Sequence, residues 1–282
     1  MNKTVMRTRW MIPNMTLSRV YKIAYSFLVE RVPAENANAI VDSYLELKDS
    51  SSEPVHLKEI FRRILGSAQN SNMKAGVIGE SIDGFDNLGK ALFSFNHKKT
   101  LAQFKGNPDS LLDHIVATLK PRGKIRRERR SIWPKYCKTI LSVAEFLTQF
   151  KNGNEFYDWA NSMYKNKHSM PALPLVLAAE IEGIGYPLAC DFLKELGFVG
   201  YGKPDVHVIE IFVGIGICPE KPSPYQVQKV ISNIAAAAGV SSYNVDKLFW
   251  LIGSGKFYNH KNIGKRGHIG RMKKEFIEAA IA

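Results

Sequence analysis

Apolar residues recur at helical spacing along most of the chain. Within residues 19–32, Ala24, Phe27 and Leu28 fall on one helix face, and Pro33 ends the pattern. Alternating runs of β-branched residues, which would indicate strands, are nearly absent. The pattern therefore predicts an all-α fold built from many short helices. Beyond 19–32, it predicts helices at 37–47, 57–66, 86–93, 108–119, 131–150, 155–164, 174–181, 187–196, 206–217, 225–238 and 242–252.

A polar run, Asp-Ser-Ser-Ser-Glu-Pro at 49–54, interrupts the helical pattern near the start of the chain. Clusters of Ser, Asp and Pro of this length are typical of loops, because they favour turns over regular structure. We therefore predict a linker at 49–54.

The composition is that of an ordinary globular protein. The 282 residues are 45% apolar and 23% charged, and no apolar run approaches the roughly 20 residues that a membrane-spanning helix needs. The first 13 residues lack the continuous apolar segment and cleavage site of a secretory signal. We therefore expect a cytoplasmic protein, located at the nucleoid if it is bacterial.

The cysteines and histidines do not form the spacings of a metal site. Cys137, Cys190 and Cys218 are odd in number and far apart, which argues against a disulfide framework and fits a reducing compartment. The seven histidines include no i, i+4 pair and no cysteine neighbour at zinc spacing. No metal site is predicted.

The charge is strongly positive and unevenly distributed. Lys and Arg number 39 against 26 Asp and Glu, a net charge of +13. A first basic cluster holds seven cations within 120–130, and a second holds seven within 256–274. Such patches favour a phosphate-contacting surface over evenly spread solubility charge. The partner would be DNA, RNA or an anionic lipid surface, and we single out Arg126 and Arg127 in the first cluster, and Lys265 and Arg266 in the second, as candidate contacts.

Two short predicted helices flank the sequence Glu182-Gly183-Ile184-Gly185. Glycine permits a tight turn and close approach of the backbone to a ligand, and a helix N-terminus attracts phosphate. Ile184 is placed to pack beneath the turn. The segment is compatible with a helix-hairpin-helix whose Gly183, Ile184 and Gly185 hold a phosphate and, equally, with a plain helical hairpin that has no ligand.

Asp205 follows Gly185 by 20 residues and precedes another apolar helix. Aspartate is a favoured N-cap, which is one interpretation of this position. The other is a carboxylate that projects into a cleft beside the hairpin.

These two segments together resemble a known signature. Residues 181–189 (IEGIGYPLA) and 203–208 (KPDVHV) resemble the helix-hairpin-helix DNA glycosylases, which carry Leu-Pro-Gly-Val-Gly and then Val-Asp-Thr-His-Val about 20 residues later. Residues 64–72 (ILGSAQNSN) are similar to a second family block, LSAQ followed by Thr or Asn and Asp. The resemblance extends over roughly 57–217.

The resemblance implies two helical subdomains with an active-site cleft between them. One would comprise 1–56 and 198–282, and the other 57–197, ending in the hairpin at 174–197. Family members that also cut the DNA strand place a lysine where this chain has Pro187, so a monofunctional glycosylase is implied. Only Cys218 follows Asp205, so the four-cysteine iron–sulfur cluster of one branch is not expected. A monovalent cation at the hairpin is the one cofactor that the resemblance leaves open.

The resemblance also suggests roles for individual residues. Asp205 would stabilise positive charge on the deoxyribose and orient water, and Gln69, with Asn70 beside it, would fill the space left by a flipped base. Lys203 would contact a phosphate or lower the pKa of the Asp205 carboxyl; a solvated lysine with neither role is an equal alternative. Candidate stacking surfaces for the flipped base are Tyr186, Trp133 and Tyr136, although core packing is the favoured interpretation of the last two.

A departure from the family pattern concerns the hairpin itself. Glu182 replaces the usual proline and brings negative charge close to where a phosphate would lie. This weakens the expected DNA contact of the turn.

The sequence therefore predicts a monomeric enzyme that acts on double-stranded DNA and has no membrane partner. A non-catalytic helix-hairpin-helix DNA-binding protein and a helical RNA-binding module are the alternatives. The excised base stays open among alkylated purines, oxidised guanine, deaminated or mismatched pyrimidines and bulky modified bases of phage DNA. The last of these would imply a role in defence against foreign DNA.

Overall fold

The computed structural model describes residues 16–46, 56–70 and 76–282. These residues form 15 α-helices and no β-strand; the only bridges among them are Lys256 with His268 and Gly264 with His268. The all-α prediction is therefore confirmed. The predicted linker at 49–54 lies outside the described residues.

The helices are short and follow one another closely. In chain order they are α1 (Leu17–Arg31), α2 (Ala37–Leu45), α3 (Leu57–Ala68), α4 (Val77–Ser81), α5 (Leu88–Ala91), α6 (His97–Phe104), α7 (Pro108–Leu119), α8 (Ile132–Phe146), α9 (Gly153–Tyr164), α10 (Leu173–Glu180), α11 (Tyr186–Glu195), α12 (Val206–Gly214), α13 (Pro224–Ala238), α14 (Ser242–Ser254) and α15 (Lys273–Ile281).

Most helix ends coincide with residues that satisfy the free backbone groups of the first or last turn. The side chain of Asn107 accepts hydrogen bonds from two amides at the start of α7, and Ser223 forms a capping box with Gln226 at the start of α13. Gly239 and Gly255 end α13 and α14 in the left-handed conformation. Because these capping residues can be recognised in the sequence, the bounds of α7, α13 and α14 were predicted closely.

Within the described residues, three helices were missed and several were predicted too long, among them 206–217, which ends at Gly214 as α12. None of α4, α6 and α15 was predicted, and the 86–93 helix is a 3₁₀ turn at Phe85–Asn87 followed by α5. The chain leaves α5 because Phe93, Ser94 and Phe95 all have positive φ angles. Phe95 then packs on Gly89, where a Cβ would lie 2.9 Å from its ring.

The chain divides into two compact units. The terminal unit comprises Met1–Asp49 and Val199–Ala282, and the central unit comprises Ser50–Phe198. The bounds predicted from the sequence for the second unit were 57–197.

The terminal unit encloses its core with α1, α2 and α12 to α15. In it α1 packs against α13 and α14, and α12 packs against α14 and α15. The core includes fully buried Phe212, Phe249 and Phe276, and the ring of Phe276 meets the rings of Phe27 and Phe249 edge to face. Burial of this apolar surface fixes the direction of α12, whose N-cap is Asp205.

The central unit is organised around α8. This helix packs against α3, α6 and α7, while α11 packs against α3 and α10. Phe61, Ile140, Phe156 and Phe192 are fully buried there. The hairpin formed by α10 and α11 is thus attached to the core of this unit.

The three cysteines are buried free thiols. Burial raises the pKa of Cys137 strongly and that of Cys218 to about 11. Among the residues that the structure describes, no three His, Cys, Asp or Glu side chains are grouped as metal ligands would be. Over the same residues, each helix is too short or too polar to span a lipid bilayer.

Candidate functional site

The predicted helix-hairpin-helix is formed by α10, the turn Ile181–Gly185 and α11. Ile184 is buried beneath the turn, and its amide donates to the carbonyl of Ile181 at 3.2 Å. The amide of Glu182 donates to the Ser142 hydroxyl of α8 at 2.9 Å. These contacts attach the turn to the core, so that its exposed side has a fixed shape.

Gly183 is required at its position for two reasons. Its φ angle is +88°, in the region that favours glycine, and an added Cβ would lie 2.0 Å from the Thr139 hydroxyl oxygen. Gly185, by contrast, has φ −90° and meets no atom closer than 3.8 Å. The first glycine therefore makes the turn, while the second leaves its surface open.

The exposed side of the turn suits an anion. Gly183 and Gly185 are exposed, and among the described residues neither amide has an acceptor. They lie at the N-terminus of α11, where the partial positive charge of a helix is located. Glu182 is also exposed, but its nearest cation, Lys138 Nζ, is 3.9 Å away, so its charge is only weakly offset.

Asp205 lies in the terminal unit as the N-cap of α12. Its Oδ1 accepts hydrogen bonds from the amides of His207 (2.9 Å) and Val208 (3.2 Å). Because both bonds go to Oδ1, the carboxyl group is held in one orientation and Oδ2 is left for another partner. Both interpretations of Asp205 that the sequence allowed, cap and projecting carboxylate, are compatible with this geometry.

The Asp205 carboxyl has an unusual acidity. Burial raises its pKa to about 6, and the nearby Asp246 carboxylate contributes in the same direction, against the opposing effects of the two amide bonds and Lys203. The residue is nevertheless only half-buried. A carboxylate of this pKa is ionised at pH 7 to 8 and is a stronger base than an ordinary aspartate.

A buried polar network supports the loop that leads to Asp205. Gln228 is fully buried; its Oε1 accepts from the Gly202 amide at 3.1 Å, and its Nε2 donates to the Gly200 carbonyl at 3.0 Å. Gly202 lies so close to α14 that a Cβ there would be 2.8 Å from the Cβ of Asp246. The network therefore fixes the loop that precedes Asp205 and holds it close to α14, which carries Asp246.

Neither Gln228 nor Asp246 was identified from the sequence. Asp246 is 3% exposed on α14. Its role becomes apparent only through the contact with Gly202. Gln228 and Asp246 each lie in a helix of otherwise regular pattern. One polar residue in such a helix is too weak a signal to identify a buried network from the sequence.

His207 and the second basic cluster lie near the same end of α12. Burial lowers the pKa of His207, and the cations Lys273, Arg271 and Lys256 lower it further. Its Nδ1 is buried and has no hydrogen-bond partner among the described residues. The imidazole is therefore neutral at pH 7, in a region of positive potential.

The predicted side chains Gln69 and Asn70 are bonded within the central unit. Gln69 Oε1 accepts from the Gly79 amide at 3.2 Å, and Asn70 Oδ1 accepts from the Gly76 amide at 3.2 Å. Both bonds connect the end of α3 to the start of α4. A role in filling a DNA stack would require Gln69 to give up this bond, which contributes about 1 kcal/mol.

The three predicted stacking residues are all buried in the central unit. Tyr136 is 3% exposed, and its hydroxyl donates to the Leu65 carbonyl at 2.9 Å; Tyr186 is 7% exposed, and its hydroxyl donates to the Pro171 carbonyl at 3.1 Å. Both are core residues here, because neither offers a ring face to a ligand. Trp133 is 6% exposed but lines a pocket of the central unit.

The candidate cations of the basic clusters are exposed. In the central unit, Arg127 pairs with Asp113 at 2.7 Å. Hydrogen bonds to the Glu128 carboxyl from its own amide and from Ser131 lower its pKa, and Arg126 contributes less in the same direction. In the terminal unit, Lys265 and Arg266 lie at the tip of a tight loop between α14 and α15. Main-chain bonds fix this loop, among them Phe257 N to Gly267 O (2.6 Å).

Comparison with known proteins identifies a curated relative. The chain is 27% identical over 151 residues to an 8-oxoguanine DNA glycosylase/AP lyase from Korarchaeum cryptofilum (strain OPF8). The alignment covers 51% of this chain and 64% of the relative, so the match spans less than two thirds of that protein. The resemblance to DNA glycosylases predicted from the sequence is confirmed by this match.

A solved structure is also similar. The Methanocaldococcus jannaschii 8-oxoguanine glycosylase/lyase, in complex with a 15-mer DNA containing 8-oxoguanine, superposes with a TM-score of 0.46 at 14% identity, over 80% of this chain and 96% of that one. No family model matches the chain.

Proposed function

We propose that this protein is a DNA N-glycosylase that hydrolyses the bond between a modified base and its deoxyribose. The observation that carries the proposal is Asp205, a half-buried carboxyl of raised pKa at the position that the glycosylase signature assigns to the catalytic aspartate. The relative from Korarchaeum, which bears the name of such an enzyme, supports the same class of reaction.

In the proposed reaction, Asp205 acts on C1′ and on water. As the bond from C1′ to the base nitrogen breaks, positive charge develops on the sugar, and an ionised carboxylate stabilises it. Oδ1 stays bonded to the amides at the start of α12, while Oδ2 orients a water and accepts its proton as the water oxygen bonds to C1′. The departing base keeps the electron pair of the broken bond and takes up a proton from solvent, Asp205 returns to solvent the proton that it accepted, and an abasic site remains.

The hairpin and the basic clusters supply affinity for DNA that does not depend on sequence. The free amides of Gly183 and Gly185 suit a phosphate oxygen, and exposed lysines and arginines release counterions when they neutralise phosphates. Duplex DNA hides the glycosidic bond, so the nucleotide must leave the stack before Asp205 can act. Gln69 is the proposed residue that fills the resulting space.

We further propose that the enzyme is monofunctional. Strand cleavage of the family type needs a primary amine at the hairpin, and Pro187, in the first turn of α11, has none. The Korarchaeum relative is named as a lyase as well, so the two proteins would differ in this step. Lys203, two residues before Asp205, is the lysine nearest to that residue in the sequence and is therefore the amine to test for an alternative attack.

Borohydride trapping tests this second proposal. The protein is incubated with DNA containing an abasic site and with its modified-base substrate in the presence of sodium borohydride, which reduces a Schiff base to a stable cross-link. We expect no cross-link and no strand break without added alkali. A cross-link that disappears in Lys203→Met would instead establish Lys203 as the attacking amine.

The substrate assay begins with oxidised guanine, because the relative is named for it. Duplexes containing 8-oxoguanine, alkylated purines, uracil or a mismatch, and phage DNAs with modified bases, are incubated in parallel, and released bases are measured. We expect release from at least one of them and a decrease of at least about 100-fold in Asp205→Asn. Release confined to the phage DNAs would favour the defence role.

Asp109→Asn is the matched control for Asp205→Asn. It shows whether a lower rate of base release comes from loss of a catalytic carboxylate or merely from loss of a negative charge at the start of a helix. Asp109 is exposed in the first turn of α7, and Asp109→Asn should leave the rate unchanged. Equal release by the wild type and Asp205→Asn would exclude Asp205 from the mechanism. DNA binding without release from any duplex would favour the non-catalytic alternative.

A further inference from the structure

An exposed apolar side chain lies directly beside Asp205 in the terminal unit. Val206 is the first residue of α12 and is 57% exposed, more than any other large apolar side chain that the structure describes. Further along the same helix, Val208 and Ile211 are fully buried. Methyl groups that leave water on contact with a ligand contribute favourable free energy. Val206 therefore offers an apolar contact to the group on which Asp205 acts.

The side chains of Asp205 and Val206 are located at the same end of α12. Cα–Cβ bonds in a helix lean toward its N-terminus, so the methyl groups of the first residue extend toward the turn that the N-cap carboxyl closes. Consecutive Cα atoms are only about 3.8 Å apart. Because Oδ1 of Asp205 is bonded to the amides of His207 and Val208, the carboxyl is held over this helix start. A sugar bound at Oδ2 therefore has the methyl groups of Val206 as close neighbours.

A positively charged region adjoins this helix start. Burial lowers the pKa of His207, and three nearby cations lower it further: Lys273, Arg271 and Lys256. Lys256 and Arg271 are exposed, so a phosphate can approach them. The start of α12 thus presents a carboxylate, then an apolar side chain, then cations. A deoxynucleotide has its groups in the same order, namely the reacting C1′, the C2′ methylene and the phosphate on C3′.

The reaction at C1′ decides which face of the sugar meets Val206. The base leaves from one face of the ring, so water held by Asp205 approaches C1′ from the opposite face. In ribose the 2′-hydroxyl lies on that opposite face, whereas deoxyribose carries only hydrogen at C2′. A ribonucleotide would therefore bring its 2′-hydroxyl onto the methyl groups of Val206, which offer it no hydrogen bond.

We infer that Val206 selects deoxyribose over ribose at the reacting nucleotide, through apolar contact with C2′ on the face from which water attacks. The inference rests on the proposed function, because that function supplies the nucleotide and the orientation of its sugar. A hydroxyl that loses its water without gaining a hydrogen bond slows the reaction by about tenfold or more. Val206 is thus a specificity-determining residue that makes a ribonucleotide a poor substrate.

Three forms of one nucleotide test the inference. A DNA duplex carries 8-oxoguanine at one position on deoxyribose, ribose or arabinose; another base takes its place if the substrate assay shows that the wild type releases that base instead. Ribose and arabinose carry the same electron-withdrawing 2′-hydroxyl on opposite faces of the ring, so the ratio of their rates cancels its electronic effect on C1′. Base release is measured with enzyme in excess. We expect the wild type to act on the arabinose form at least about tenfold faster than on the ribose form.

Val206→Thr and Ile281→Thr form a matched pair of variants. Threonine keeps the shape of valine and adds a hydroxyl that can bond the 2′-hydroxyl, so Val206→Thr should bring the ratio of the arabinose rate to the ribose rate within about threefold of one. Val206→Ala, which removes the methyl groups, should lower the ratio as well. Ile281 is 55% exposed at the end of α15 in the same unit, and Ile281→Thr should keep the ratio of the wild type.

The outcomes separate this inference from the proposed function. A wild-type ratio near one, or a ratio that neither Val206→Thr nor Val206→Ala changes, would overturn the role of Val206. An equal fall of the ratio in Ile281→Thr would overturn it too. Release of a base from deoxyribose, with equal rates from ribose and arabinose, would refute only this inference. Release of no base from any deoxyribose duplex would refute the proposed function and the inference with it.

Discussion

Replacing Asp205 by asparagine should stabilise the folded chain at pH 8 while it removes glycosylase activity. The ordinary pKa of the carboxyl is 3.8, and burial raises it to about 6 in the fold. The folded state therefore binds the proton more tightly than the unfolded state does. The contribution of Asp205 to stability is accordingly greatest at low pH and is lost as the pH rises through 6.

The size of the effect follows from the shift. About two pKa units correspond to roughly 3 kcal/mol of destabilisation once the carboxyl is ionised in both states. Asparagine is as good an N-cap as aspartate, so the bonds to the amides of His207 and Val208 are kept. Burial of the amide costs about 1 kcal/mol, which leaves a net gain of about 2 kcal/mol at pH 8.

Urea unfolding followed by circular dichroism at pH 4.5 and pH 8 measures this gain. At pH 4.5 the buried carboxyl is mostly protonated, so the two proteins should differ by less than about 0.5 kcal/mol. Asp109→Asn, which removes an exposed charge at a helix start, should instead lower stability slightly at pH 8. A less stable Asp205→Asn protein at pH 8, or the same gain at both pH values, would refute the reasoning.

Three further outcomes are expected. The rate of base release should rise with pH through about 6 and then level off, because the ionised N-cap carboxylate is the active form; a flat profile from pH 5 to 8 would contradict this. Gly183→Ala should lower the free energy of unfolding by at least about 2 kcal/mol, because φ is positive there and a Cβ would lie 2.0 Å from the Thr139 hydroxyl oxygen. Gly185→Ala should lower it by less than about 1 kcal/mol, and equal losses in thermal unfolding would be inconsistent with the turn geometry. Lys265→Ala should reduce the slope of log affinity against log salt by about one, and an unchanged slope would remove that loop from the DNA contact.

Local signals were enough to predict most helices and the hairpin. Gly183 and Ile184 indicated the turn, because a left-handed glycine and a buried aliphatic residue are what such a turn needs. Pro204 and Asp205 indicated the start of α12 in the same way. In each case the residues that decide the structure are neighbours in the sequence.

What could not be predicted depends on contacts between distant residues. Asp246 is 41 positions from Asp205 in a regular helical pattern, and only packing against Gly202 reveals its influence on the pKa of Asp205. A tyrosine at position 136 is compatible with either a core or a pocket. The structure shows a core residue, because the Tyr136 hydroxyl donates to the carbonyl of Leu65, 71 positions away in the sequence. The short α4 was missed because five residues carry too little periodicity to be recognised.

Because the three buried thiols are divided between the two units, the unfolding of each unit can be followed separately. A thiol-specific reagent reaches Cys137 and Cys190 only when the central unit opens, and Cys218 only when the terminal unit does. Because burial also raises the pKa of Cys137 and Cys218, the reactive thiolate is scarce until the surrounding structure is lost. The order in which the native cysteines are modified thus shows which of the two units unfolds first, and no cysteine has to be introduced for the measurement.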